Sequence, residues 1–456
     1  MKLVITVFAC LFAFSASAQT HPAIITFLQN TTETGNYWIT GSPNLTSNGI
    51  LVNCQKVEYS ANYSYITTEG VPSYPTGPFQ DGNPSQATAQ GVIFQIPLNP
   101  VEETGTKSTT TPGNIGVFIN GVSLYDYRDG VAWNPNTMDL CGGPGRTRCP
   151  GPPGTVQAWN RDAIPAERLG FDCAKGHPAM GNYHHHQNPS AFDLDLVVIS
   201  NICSMYDADG LYVIDSTKHS PLLGFAYDGF PIYGAYGYKN ADGTGGIVRI
   251  NSGYSMRNIT TRTTDPSGMP TDVGPVVSAT YPLGYFREDY EFIAHPGEDD
   301  FLDIHNGRLC ITPEYPNGTY AYFATVDQNW NSTYPYVVGP TFYGEHDDRI
   351  VTTITEPTQV YVPNTGYEQA QFEQLNISVY PNPTSDLIAV QTKSILTHDL
   401  ELTLLTADGK AIQNTVLKQG SSVAFFDVRA QYDGMYFIRI KDDSNNVRTE
   451  KVMLKR

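Results

Sequence analysis

Four of the ten histidines fall within ten positions, at His177, His184, His185 and His186. They belong to GHPAMGNYHHHQNP (176–189), and the next block, KHSPLLGFAYDGFPIYGAYGY (218–238), opens with His219. On an extended segment residues i and i+2 share a face, so His184 and His186 point the same way with Cα atoms about 6.6–6.8 Å apart. Imidazoles at that spacing can converge on one ion, and neutral imidazole is a ligand for zinc, copper, nickel or iron. His185 faces the other side and is not expected to ligate. His177 or His219 would complete a three-histidine set, and the Gly and Pro residues that bracket the run would hold it in a tight loop. A divalent metal, zinc or copper first, is therefore the expected cofactor. If the ion is catalytic, it would lower the pKa of a bound water toward ~7, with Asp228 as the candidate general base, held by the Gly-Phe-Pro turn that follows it. Copper or iron would open oxidative chemistry instead. Two plainer arrangements use the same residues: histidines on an exposed edge, or a buried network of Tyr and His hydrogen bonds.

Other chemistry is thinly signalled. Asp207-Ala208-Asp209-Gly210 and the cluster Glu298-Asp299-Asp300 with Asp303 offer oxygen ligands to calcium, but neither carries a twelve-residue calcium loop with its terminal Glu. Asp242-Gly243 reads as a turn. There is no G-x-S-x-G elbow, H-E-x-x-H, P-loop or dinucleotide G-x-G-x-x-G. His-x-His in a β-rich chain resembles part of a cupin motif, yet the Glu that cupins place a few residues later is missing, since residues 187–192 contain no acid.

The elements that must position these residues are strands. The 456 residues include 41 Gly, 32 Pro and 29 Tyr, with only 16% charged, a mix that suits short strands and ordered loops and argues against a helical bundle. Strands are expected at 50–59, 91–97, 192–200, 211–215 and 319–326. Ile115–Phe118 and Val122–Tyr125 flank Asn120-Gly121, a type I′ hairpin signal, and only Ala163–Leu169 looks briefly helical. The net charge of −18 argues against nucleic acid as a partner. Residues 1–18 read as a secretory signal peptide: Lys2, an apolar run too short to cross a bilayer, then Ala16-Ser17-Ala18. No later stretch is long and apolar enough to span a membrane. Six cysteines remain after it, enough for up to three disulfides in an exported chain. Cys141 with Cys149, around a Gly/Pro-rich loop, is the favoured pair.

Composition divides the chain. Residues 19–375 carry a net charge of −20, all four Trp and 30 of the 32 Pro, whereas residues 376–456 are nearly neutral. The expected organisation is all-β: a large β-rich domain with long loops (19–355), a linker (356–375) and a small Ig-like β-sandwich of roughly seven strands (376–456). In the tail, VYPNPTSD (379–386), LLTADGK (404–410), FDVRAQYDGMYFIRI (426–440) and the terminal KVMLKR resemble the C-terminal sorting domain of the type IX (Por) secretion system. That resemblance implies handling by the type IX machinery and a secreted or outer-surface location.

The body is similar to the YHYH-domain family. The matching segments are GHP (176–178), YHHH (183–186), HSPLLGFAYDGFPIYG (219–234), GYFREDYEF (284–292), LDIHNGR (302–308), TPEYPNGTYAYFATVD (312–327) and PYVVGPTFYG (335–344). Carried over, the two motif histidines are His184 and His186 and the first tyrosine is Tyr183. The second tyrosine position holds His185, which removes one phenol. The resemblance implies an envelope or secreted location and a shared task for the two histidines, without an activity. The expectation is thus an exported metal-binding protein. The alternative is a non-catalytic surface protein whose Tyr-rich face binds a glycan or another polymer.

Overall fold

The structure, a computed structural model, describes residues 21–42, 44–79, 86–152, 156–190, 210–346, 350–362, 377–393, 396, 399–407, 409–442 and 447–456. The expected signal peptide, the strand expected at 192–200, Asp207, Asp209, Cys203 and most of the expected linker lie outside the described residues. The chain forms two compact units, Met1–Tyr361 and Val362–Arg456.

The body is built on an eight-stranded mixed sheet. Across it run His177–Ala179, Asn182–His185, Ser123–Tyr125, Asn114–Phe118, Leu222–Ala226, Pro231–Tyr233, Thr319–Phe323 and Gly307–Cys310. Leu222–Ala226 lies mid-sheet and every residue of it is buried, as its uninterrupted small and apolar sequence requires of a strand covered on both faces. Two neighbouring pairs are parallel, Asn182–His185 with Ser123–Tyr125 and Pro231–Tyr233 with Thr319–Phe323. A five-stranded sheet contributes Val57, Ile66, Phe94 and Ile96 to the same core as Val117, Leu223, Phe225 and Ile232.

Several expectations shift in detail. The 50–59 run is two strands, Thr46–Leu51 and Cys54–Tyr59, divided where Asn53 takes a positive φ of 60°. Residues 211–215 form only an isolated bridge at Tyr212, not a strand. The hairpin at Asn120-Gly121 exists, but only Gly121 has positive φ. Gly121 N donates to Phe118 O (2.8 Å) and Phe118 N to Val122 O (2.9 Å), the pattern of a three-residue type I turn closed by a Gly bulge rather than type I′. The expected helix is Ala163–Glu167. The start of the expected linker belongs to the body, because Gln359–Tyr361 pairs antiparallel with Cys54–Tyr59.

Cys141 and Cys149 are disulfide-bonded, and so is Cys173. Cys54 and Cys310 are free and buried, so the six cysteines after residue 18 do not form three bridges. Among the described residues the tail has seven strands in a three-stranded and a four-stranded sheet, around a core of its own that includes Ile388, Leu402, Phe426, Ile438 and Val452. No helix among the described residues is long and apolar enough to cross a membrane.

Candidate metal centre

The histidine cluster is assembled by one tight hairpin at the edge of the central sheet. His177–Ala179 pairs antiparallel with Asn182–His185 across Met180-Gly181, placing His177 directly opposite His184. Both turn residues have positive φ, 49° and 86°, as a two-residue type I′ hairpin requires. Gly181 is also sterically required, since a Cβ there would lie 2.0 Å from Thr88 Oγ1. Cross-strand partners share a face, and so do residues two apart, so His177, His184 and His186 converge while His185 points away.

All three are buried, and their ligand-capable nitrogens lie within 4.8 Å of one another. His186 Nε2 is 3.1 Å from His184 Nε2 and 3.5 Å from His177 Nε2. The opposite ring nitrogens are committed elsewhere. His184 Nδ1 donates to Asn182 O (2.9 Å) and His186 Nδ1 to Asp126 O (2.6 Å), which fixes the Nδ1–H tautomer and leaves each Nε2 lone pair facing its neighbours. Tyr125 stacks on His184 at 3.8 Å, and the edge of Phe171 meets His177 at 4.9 Å, so the rings are held in place by packing.

A carboxylate beside this group belongs to Glu167, at the end of the helix whose N-cap is Asp162. Glu167 Oε2 lies 3.3 Å from both His177 Nε2 and His186 Nε2, and its side chain keeps 25% of its exposure, more than any of the three histidines. Burial opposes charge on Glu167, but His177 and His186 outweigh it and hold the carboxyl well below its usual range. Burial likewise opposes charge on His186, and the Glu167 hydrogen bond and charge overcome it, raising His186. His184, buried and beside two other imidazoles, is held well below the ordinary histidine value.

The opposite face of the same strand is a separate polar network. His185 Nε2 meets Tyr74 OH at 2.8 Å, and Tyr183 OH donates to Asp172 Oδ2 at 2.8 Å. Asp172 also accepts from the backbone N–H groups of Gly77, Ala174 and Gly176. His185, on one side of this strand, is therefore hydrogen-bonded core, and the histidines on the other side converge.

His219 is not a member of the converging group. It packs among the rings of Tyr233, Tyr238 and Phe323, with Nδ1 donating to Ser220 O at 2.8 Å. Asp228 is fully buried at the turn between two central strands. Its Oδ2 accepts from Tyr322 OH (2.6 Å) and Gly344 N (2.9 Å), its Oδ1 from Phe230 N (3.3 Å), and burial pushes its carboxyl up to about 6. Bonded in this way, Asp228 ties loops together and offers no open face. In the acidic cluster, Asp299 accepts from Ala241 N, Asp300 from Asn251 Nδ2, and Asp303 from His305 N and Tyr320 OH. Among the described residues only the three histidines meet as a metal-holding group.

The fold and site thus define an all-β protein with a buried three-histidine cluster at a sheet edge and a separate C-terminal β-sandwich. The chain belongs to the YHYH protein family, whose model matches residues 93–335. Residues 378–455 match the secretion system C-terminal sorting domain, which marks the chain for type IX export to the cell surface or the extracellular space. No curated protein matches the chain. The departure at the second tyrosine of the motif falls on His185, on the core face, and leaves the converging side intact.

Proposed function

We propose that this exported protein holds one divalent metal ion through His177, His184 and His186. The observation that supports it is the approach of the Nε2 atoms to 3.1 and 3.5 Å with both tautomers fixed by backbone carbonyls. Two neutral Nε2 lone pairs at that distance repel unless a cation lies between them. An ion bound at about 2.0–2.1 Å to each nitrogen sets nitrogens about 3.3 Å apart in a tetrahedral arrangement. A proton shared between two imidazoles is the competing occupant, and zinc, copper, nickel and iron all suit the donor set. When bound, such an ion supplies Lewis acidity or, for copper and iron, redox capacity. The chain's own part is to orient the rings through Asn182 O and Asp126 O, to pack them with Tyr125 and Phe171, and to keep bulk water away.

Calorimetric titration of the metal-free protein with zinc and with copper tests this reading. One site per chain is expected, and no site in a His184→Ala/His186→Ala variant that remains folded. Equal binding by the variant would place the ion elsewhere and overturn the proposal.

A polymer-binding reading rests on a different feature, a groove of about 460 Å³ lined by Tyr254, Tyr290, Phe292, Tyr334 and Arg287. Aromatic faces with a guanidinium suit sugar rings. This reading predicts glycan retention that survives chelation and falls on Tyr254→Ala.

A further inference from the structure

The sequence spacing contains no carboxylate for the histidine cluster, yet the fold delivers one. Glu167 comes from a five-residue helix ten positions before His177, and its Oε2 sits 3.3 Å from two of the three Nε2 atoms. That oxygen is buried, and its polar neighbours are the two imidazole nitrogens, so it is aimed into the cluster. The helix is fixed at its start: Asp162 Oδ1 caps Ile164 N at 2.9 Å and Oδ2 accepts from Tyr336 OH at 2.6 Å.

The distances have a pattern. Nε2 to Nε2 separations of 3.1 and 3.5 Å and Oε2 to Nε2 separations of 3.3 and 3.3 Å are four of the six edges among these four atoms. For bonds of about 2.0–2.2 Å, the edges of a tetrahedral zinc-type site are about 3.3–3.6 Å. Resting on the metal reading above, we propose that Glu167 is the fourth ligand, closing a three-histidine, one-carboxylate set around the ion. The same side chain is the most exposed of the four, so it is also the gate: an exogenous anion or substrate reaches the ion only by displacing the Glu167 carboxylate. A carboxylate suits that role because it exchanges one oxygen for solvent contact without dismantling the buried histidines.

Cobalt(II) substitution in the full chain, with azide as the probe anion, separates the possibilities. Wild-type protein should show the intense visible bands of a four-coordinate cobalt ion and no response to azide. Glu167→Gln, whose folding is checked by circular dichroism, should bind cobalt more than about 10-fold more weakly, at least the cost of removing an outer-shell partner, and azide should then produce new bands. Glu167→Ala should behave as Glu167→Gln does. If azide shifts the wild-type and variant spectra alike, or if the wild type shows the weak bands of a hydrated ion, Glu167 is not a ligand although the histidine site stands. If the wild type takes up no cobalt, the histidine reading falls with it.

Discussion

Each of the two motif histidines gives its Nδ1–H to a backbone carbonyl, and that commitment makes the Nε2 atoms acceptors by default. At this scale the loss of either ring is a loss of affinity more than of fold. His184→Gln is expected to weaken zinc binding more than about 100-fold, beyond what removing an outer-shell partner costs, as read by competition with a chelator. His185 should behave in the opposite way. Its side chain is fully buried against Tyr74, Tyr183 and Phe118, so His185→Ala removes one hydrogen-bond partner of Tyr74, at about 1 kcal/mol before any cavity term, and spares metal affinity. Chemical denaturation and a metal titration on the same variant check both halves. Burial also pushes His185 down to about 3. The unfolded chain binds that proton near pH 6.5 and the native chain only near pH 3, so this group's stabilisation is present above pH 6.5 and is lost as the pH falls toward 3. Denaturation midpoints at pH 7.5 and 4.5 should therefore differ less in His185→Gln than in the wild type.

The hairpin and the short helix are the elements that convert these residues into a site. Gly181→Ala is expected to cost about 1–3 kcal/mol from its left-handed backbone alone, and the Cβ would also collide with Thr88. Because the turn sets His177 opposite His184, metal affinity should fall with stability, which distinguishes this change from His185→Ala. The shared face of His184 and His186 was legible in the sequence, because strand alternation is independent of the rest of the fold. Selecting His177 over His219 required the register of the hairpin, and Met-Gly is a weaker turn signal than Asn-Gly. The stronger signal, Asn120-Gly121, did mark a hairpin, but the structure satisfies it with a different turn. Glu167 was not legible: it reaches the cluster from another element through packing, and no spacing rule connects position 167 to 184. Asp228 stood out as the carboxylate in a Gly/Pro-rich turn, and such a turn equally needs an internal hydrogen-bond acceptor, which is the place the structure gives it.

At the scale of the molecule, the chain forms two units, each with its own hydrophobic core. The end drawn for the body fell early, because residues 356–361 look like polar linker yet 359–361 pair with the edge of a body sheet. Two cores predict two unfolding transitions by calorimetry. Removing residues 377–456 should delete one transition, leave metal stoichiometry unchanged and keep the protein from reaching the cell surface or medium, as fractionation would show. The free, buried Cys54 and Cys310 should resist thiol reagents until the body unfolds. The central claim is the metal centre, and elemental analysis of the mature chain, purified without a histidine tag, tests it most directly beside His184→Ala/His186→Ala. One equivalent of a transition metal per chain, absent from the folded variant, is the predicted result. A folded wild-type protein that stays metal-free after incubation with zinc and with copper would contradict it.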